Sequence, residues 1–279
     1  VSTATFDILP EQVDEFRETG VLHLLGYVEM EQLRRIRWTV FAWSAAFALQ
    51  HWDLHLPVSD SPSDFDIGYT ELRAVDPAGA GRIYDAVKKI PEFMQWAADP
   101  RHVALARLLL SSEQIGVASR GWGMRIDHPG DTKHTTQLHQ DYVSQLCSPR
   151  GIVIWSPLRD VTSEMGPVVM YPRSHAFGVF PVDALGPNSQ DLLVRDRTSL
   201  TERFASCNPE VRAGDAVAID FLLLHESGNN VSSQPRWSML TRFFDAGHQG
   251  AIQMGWRGGL QEGNNFTDIR RLIEADSIE

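Results

Sequence analysis

Apolar residues recur at helical spacing along the first part of the chain and at strand spacing beyond it. Pro10 to Thr19 opens on a proline and acidic residues and stops at Gly20, which predicts a short helix, and Val21 to Leu25 follows as a brief strand. From Glu29 to Gln50, Leu33, Ile36, Val40, Phe41 and Phe47 fall close to a 3.6-residue period while Arg34, Arg35 and Arg37 lie mostly elsewhere. A long amphipathic helix with one buried face is expected. Residues 51–80 are rich in Pro, Asp, Ser and Gly and read as a long loop, and loops of that length are often functional. Two more helical stretches are predicted near Gly81 to Ala98 and Pro100 to Leu110.

After about Glu113 the pattern changes to short β segments broken by Gly, Pro and Asp. Ile115 to Ser119, Trp122 to Asp127, Gln137 to Asp141, Ile152 to Leu158, Val168 to Tyr171, Ala216 to Phe221, Leu223 to Glu226 and Trp237 to Phe244 are the candidate strands. Turn-rich joints between them imply a sandwich or barrel with a pocket at its open end. His175 to Val211 interrupts the strands with mixed charges and is expected to be a lid or substrate loop. The fold class is mainly β with added helices. One compact domain over residues 1–279 is expected, helical to about residue 112 and β from about 113 to 246.

Composition changes this picture little. With 43% hydrophobic and 22% charged residues, and no low-complexity tract or internal repeat, the chain has the make-up of an ordinary soluble enzyme. A formal charge of -11 argues against a nonspecific nucleic-acid surface and against adhesion to anionic lipid, both of which need clustered Lys and Arg. It does not exclude a local basic pocket. Cys147 and Cys207 are expected to be free thiols in a reducing cytoplasm. No signal-peptide order opens the chain, and the longest apolar run, around Trp38 to Leu49, is too short for a membrane span. A cytoplasmic protein with a small-molecule substrate, and with neither nucleic acid nor membrane as partner, is expected; nothing in the sequence sets its oligomeric state.

The chemistry is carried by His139-Gln140-Asp141, a lone downstream His225, and Arg236 eleven residues after it. Two imidazoles and a carboxylate form a facial triad that leaves three metal positions open for Fe(II) chemistry. Arg236 suggests what fills two of them: a 2-oxo acid that chelates iron at one end and needs a bidentate cation for a carboxylate at the other. A 2-oxoglutarate-dependent oxygenase is the reading. Strand alternation would place Gln137, His139 and Asp141 on one side of an extended backbone. His51-Trp52-Asp53 has the same spelling, but it sits in a loop-like stretch without a strand scaffold. Arg242 competes with Arg236 as the anchor, and strand parity cannot separate two residues six apart. Trp155 is either core or cosubstrate wall, Ser227 either a turn cap or a wall, and Gln137 either a site residue or solvent-facing.

Several motifs in order resemble the phytanoyl-CoA dioxygenase family, a branch of the Fe(II)/2-oxoglutarate oxygenases with a double-stranded β-helix (jelly-roll, cupin-like) core. They are "HQD" at His139 to Asp141, "WSPLRDVTSEMGPVVMYPRSH" from Trp155 to His175, "AGD" at Ala213 to Asp215 and "HESGNNVSSQPR" from His225 to Arg236. "GVLHLLGYVEMEQLRRI" near the N-terminus is similar to the family's helical entry. The resemblance implies that His139, Asp141 and His225 bind Fe(II), that Arg236 binds the distal carboxylate of 2-oxoglutarate, and that Ser227 and Trp155 line the cosubstrate. Gln137 completes the expected cofactor-binding set. The implied reaction consumes O2 and 2-oxoglutarate, releases succinate and CO2 and hydroxylates a C–H bond. Asp141 stands where related halogenases lack a carboxylate, which favours hydroxylation, desaturation or ring formation over halogenation. Leu138 in place of a frequent Trp, and Arg173 in place of a turn Gly, bear on substrate class. Relatives act on acyl-CoA, amino-acid derivatives and many natural products. A Zn hydrolase also uses two His, one Asp and a water, but would leave Arg236 unexplained. A non-catalytic cupin-like metal-binding protein is the remaining alternative.

Overall fold

The computed structural model describes residues 8–56, 64–118, 121–132, 135–184 and 192–259. In chain order the elements are α1 (Pro10–Thr19), β1 (Val21–Leu24), α2 (Met30–Trp52), α3 (Ile67–Val75), α4 (Pro77–Val87), α5 (Pro91–Ala97), α6 (Pro100–Leu110), β2 (Ile115–Val117), β3 (Gly123–Asp127), α7 (Asp141–Gln145), β4 (Gly151–Pro157), β5 (Val169–Met170), β6 (Val182–Ala184), β7 (Leu192–Val194), α8 (Arg197–Arg203), β8 (Ala216–Asp220), β9 (His225–Glu226), β10 (Arg236–Asp245) and α9 (Gln249–Gln253).

A six-stranded antiparallel sheet runs β1-β8-β4-β10-β2, with β3 also paired to β10. Every residue of β4 is buried, as expected of a strand covered on both faces, and its apolar run is continuous rather than alternating. On one face Ile152, Ile154, Ala216, Ala218, Trp237, Met239 and Phe243 pack against the helical layer, including Leu33, Ile36 and Val40 of α2. On the other face Val153, Trp155, Val217, Ile219 and Leu240 form a second core with residues of the smaller sheet. That smaller sheet is β5 paired with β9, extended by single bridges from His139 to His225 and from Met170 to Cys207. The two facing sheets are the expected jelly roll, closed on one side by helices. Among the described residues no helix is long and apolar enough to cross a membrane.

Three expectations are corrected. The stretch 51–80, read as a loop, carries α3 and the start of α4; residues 57–63 lie outside the described part. Its Asp and Pro are helix-start signals. Asp76 caps α4 by accepting from the Gly79 N–H at 2.8 Å, and Pro77 takes the first helical position, where no amide donor is needed. The helix expected over Gly81 to Ala98 is two helices, because Pro91 restricts Ile90 to extended backbone and opens α5 afresh. Finally, Gln137 to Asp141 is not a strand: only His139 bridges, and Asp141 begins α7.

Candidate metal centre

His139 and His225 lie directly opposite one another, each donating its backbone N–H to the other's carbonyl, at 3.0 and 3.1 Å. Opposed residues in such a pair present their side chains on one face, and the two rings approach to a centroid distance of 4.2 Å. His139 Nδ1 lies 2.8 Å from the Gln137 carbonyl, and His225 Nδ1 3.0 Å from that of Leu223. A carbonyl only accepts, so both Nδ1 atoms carry the hydrogen and both Nε2 atoms offer a lone pair. Burial, then the adjacent His225, pushes His139 down to about 3, so its ring is neutral at ordinary pH, as a ligand requires.

Asp141 reaches the same point through the first turn of α7 rather than by strand alternation. Although burial opposes ionisation, the Arg242 guanidinium holds this carboxyl well below the usual range. Its Oδ1 accepts from Arg242 Nε at 2.8 Å. Its Oδ2 is buried, accepts no hydrogen bond, and lies 3.3 Å from His225 Nε2. An orphaned carboxylate oxygen beside two bare imidazole nitrogens, with ligand atoms of all three residues within 4.8 Å of one another, fits a divalent metal. Among the described residues this is the single group of its kind.

These side chains line a cleft with about 500 Å³ of empty space, part of it open to solvent. Trp155, Val153, Ile219 and Leu240 make its apolar wall, and Ser227 and Thr136 lie alongside. The Ser227 hydroxyl accepts from the Thr136 N–H at 3.1 Å, so it also ties two loops together. Arg236, 2% exposed, lines the same cleft from β10. Asp127, its partner across the β3–β10 ladder, takes Nη2 at 3.0 Å and Nε at 3.3 Å and also binds Arg125. Gly166 packs where an added methyl carbon would come 2.3 Å from the Asn229 carbonyl, which lets the 163–167 turn lie against the segment between His225 and Arg236. The Met165 carbonyl of that turn is 3.5 Å from Arg236 Nη1.

Six of the seven candidate residues therefore meet in one cleft: His139, Asp141, His225, Arg236, Ser227 and Trp155. Gln137 does not. Its exposed side chain accepts from Arg197 Nη1 at 2.6 Å. His51, Trp52 and Asp53 close the exposed end of α2, where His51 packs on Phe47 at 4.2 Å and Asp53 is the left-handed cap. His128 binds the Tyr69 hydroxyl, and His175 Nε2 lies against the Arg17 carbonyl; His134 is outside the described residues. Sequence reasoning passed over Gln140, whose buried amide donates to the Gly178 and Leu222 carbonyls and accepts from the Phe180 N–H, pinning the ligand segment between its neighbours. It also passed over Arg197 of α8, which donates to Gln137 and to Glu226 and so bridges the two ligand-bearing segments. The available signals were the place of Gln140 inside the motif and that of Arg197 inside the expected lid or substrate loop.

The sequence model of the family described as phytanoyl-CoA dioxygenase (PhyH) matches residues 72–238. No curated protein matches the chain by sequence. Among solved structures, the iron-bound EctD of S. alaskensis is 19% identical with a TM-score of 0.56, over 88% of this chain and 80% of that one. EvdO2 of Micromonospora carbonacea var. aurantiaca, complexed with 2-oxoglutarate, is 20% identical with a TM-score of 0.53, over 86% and 92%. SnoK, a non-heme alpha ketoglutarate dependent carbocyclase from nogalamycin biosynthesis, is 18% identical with a TM-score of 0.54, over 86% and 85%. At these identities the likeness is one of fold.

Proposed function

We propose that this chain, which belongs to the phytanoyl-CoA dioxygenase family, hydroxylates an unactivated C–H bond of a small molecule with release of succinate and CO2. Membership makes it a non-haem iron and 2-oxoglutarate-dependent oxygenase, working with Fe(II), 2-oxoglutarate and O2. The observation that carries the reading is the convergence of two imidazole lone pairs and one orphaned carboxylate oxygen in a cleft that also holds a buried guanidinium.

In this reading His139, Asp141 and His225 hold the iron, and Arg236 binds the distal carboxylate of 2-oxoglutarate beside Ser227 and Trp155. Bound iron would supply the oxidative decarboxylation of the 2-oxo acid and the oxidation of the substrate. The chain's residues do the rest. Carbonyls two residues upstream lock each imidazole in the ligand tautomer, as outer partners of metal-bound histidines commonly do. Val153, Trp155, Ile219 and Leu240 keep water from the cleft wall, which strengthens the ionic contacts inside. Asp141 fills the position a halide would need, which favours hydroxylation. The chain works as one domain, and a natural-product intermediate is the favoured substrate class.

The test is succinate formation from 2-oxoglutarate under air with Fe(II). His139→Ala, Asp141→Ala and His225→Ala should each abolish it while the circular dichroism spectrum is kept, and His51→Ala and Asp53→Ala should not. Wild-type protein that forms no succinate, or loss confined to the His51 and Asp53 variants, would overturn the assignment.

A further inference from the structure

Arg242 has no part in the mechanism above, yet it touches the centre. β10 carries Arg236 and Arg242 on the same face, six residues or about 20 Å of backbone apart. They serve different carboxylates: Arg236 is paired with Asp127 and Arg242 with Asp141. Arg242 Nε donates to Asp141 Oδ1 at 2.8 Å, and its Nη1 donates to the Gly121 carbonyl at 3.4 Å, which fixes the plane of the guanidinium. Its backbone is held between strands, opposite Val153 of β4 on one side and accepting from the Ala118 N–H at 3.1 Å on the other. Asp141 is 2% exposed, and its Oδ2 is left facing His225 Nε2 with no hydrogen bond.

A carboxylate can give a metal one oxygen or both. Two imidazoles and one carboxylate oxygen leave three positions of an octahedral ion open. A chelating 2-oxo acid takes two and O2 takes the third, so none is spare. A second oxygen from Asp141 would occupy one of them. We propose that Arg242 is a positioning residue that commits Asp141 Oδ1 to a hydrogen bond and so confines Asp141 to one-oxygen coordination of the metal. The inference rests on the iron reading above. Arg242 acts through Asp141 and needs no contact with 2-oxoglutarate.

Difference infrared spectra of the anaerobic Fe(II) protein carrying 13C-labelled aspartate test this. The gap between the asymmetric and symmetric carboxylate stretches is wide when one oxygen binds and narrow when both do. Wild type and Arg242→Lys, which keeps a donor, are expected to show the wide gap, and Arg242→Met the narrow one. Arg242→Met should still bind Fe(II), weakened by no more than the roughly 10- to 100-fold that removing an outer partner of a ligand commonly costs, and should lose affinity for 2-oxoglutarate, one of whose two positions is taken. A narrow gap in the wild type overturns the proposal even if Arg242→Met does not fold. So does an unchanged gap in Arg242→Met, and equal losses of 2-oxoglutarate in the Met and Lys variants with both gaps wide would make Arg242 a cosubstrate anchor instead. Wild type that takes up no Fe(II) would sink the iron reading itself, a distinct outcome.

Discussion

Replacing Arg236 by Lys separates the two tasks that the structure gives its guanidinium. Asp127 Oδ2 takes Nε and Nη2, the side edge of the planar group, at 3.3 and 3.0 Å. The end edge, formed by Nη1 and the second hydrogen of Nη2, is then the one that can grip a carboxylate with two parallel bonds, Nη1 having only a 3.5 Å contact with the Met165 carbonyl to give up. A lysine keeps the charge but has no fork, so it cannot hold Asp127 and give two aligned donors to a cosubstrate. One charge-assisted hydrogen bond is worth about 1.5–3 kcal/mol, which translates into a rise of roughly 10- to 100-fold in the 2-oxoglutarate dissociation constant. Asp127 keeps Arg125 as a partner, so the fold is expected to survive. Titrating 2-oxoglutarate into the anaerobic Fe(II) protein and following the metal-to-ligand absorption band measures the effect; Arg242→Lys, beside it, should change affinity only a few-fold. A larger loss at Arg242 than at Arg236, or no loss at Arg236, would refute the anchor assignment.

Burial raises the Asp220 carboxyl to about 6, so the native protein holds this proton more tightly than the unfolded chain, whose aspartates titrate near 4. Its stabilising effect is complete below about pH 4 and gone above about pH 6. Two pH units are worth about 3 kcal/mol, and partial solvent contact cuts this to about 1–2 kcal/mol. Asp220→Asn should therefore be the more stable protein at pH 7.5 and match the wild type near pH 4 in urea unfolding; an equal difference at both pH values would refute the cause. Arg197→Ala removes the bridge from α8 to Gln137 and Glu226, and is expected to raise 2-oxoglutarate consumption in the absence of substrate on the order of several-fold, through water entry; an oxygen electrode reads it, and a fall in that rate would count against a closing role for α8. Arg173 adopts φ 71, so Arg173→Gly should stabilise by up to about 1 kcal/mol and Arg173→Ile destabilise by about 1–2 kcal/mol. A midpoint for Arg173→Gly below that of the wild type would show that the ion pair with Glu18 matters more than the backbone, and one for Arg173→Ile above that of Arg173→Gly would refute the backbone cause.

Start and stop residues were enough to read α1, helical spacing to read α2 and α6, and short apolar segments between turn residues to read the strands of the main sheet, because a segment that buries a face must carry apolar residues where it meets the core. The order of short motifs was enough to bring His139, Asp141, His225 and Arg236 together as candidates. Boundaries in the helical layer were less legible, since Asp76-Pro77 and Pro91 serve equally as loop and helix-start signals until packing selects one. The tertiary structure alone decided what depends on which faces meet. Local pattern assigns a residue to a face, whereas the pairing of His139 with His225, the turn of α7 that swings Asp141 toward them, and the outward course of Gln137 to Arg197 arise from contacts between segments distant in sequence. Arg236 and Arg242 are the sharpest case. Even spacing on β10 makes them equivalent in the sequence, and only the neighbouring elements separate them, placing Asp127 beside one guanidinium and Asp141 beside the other.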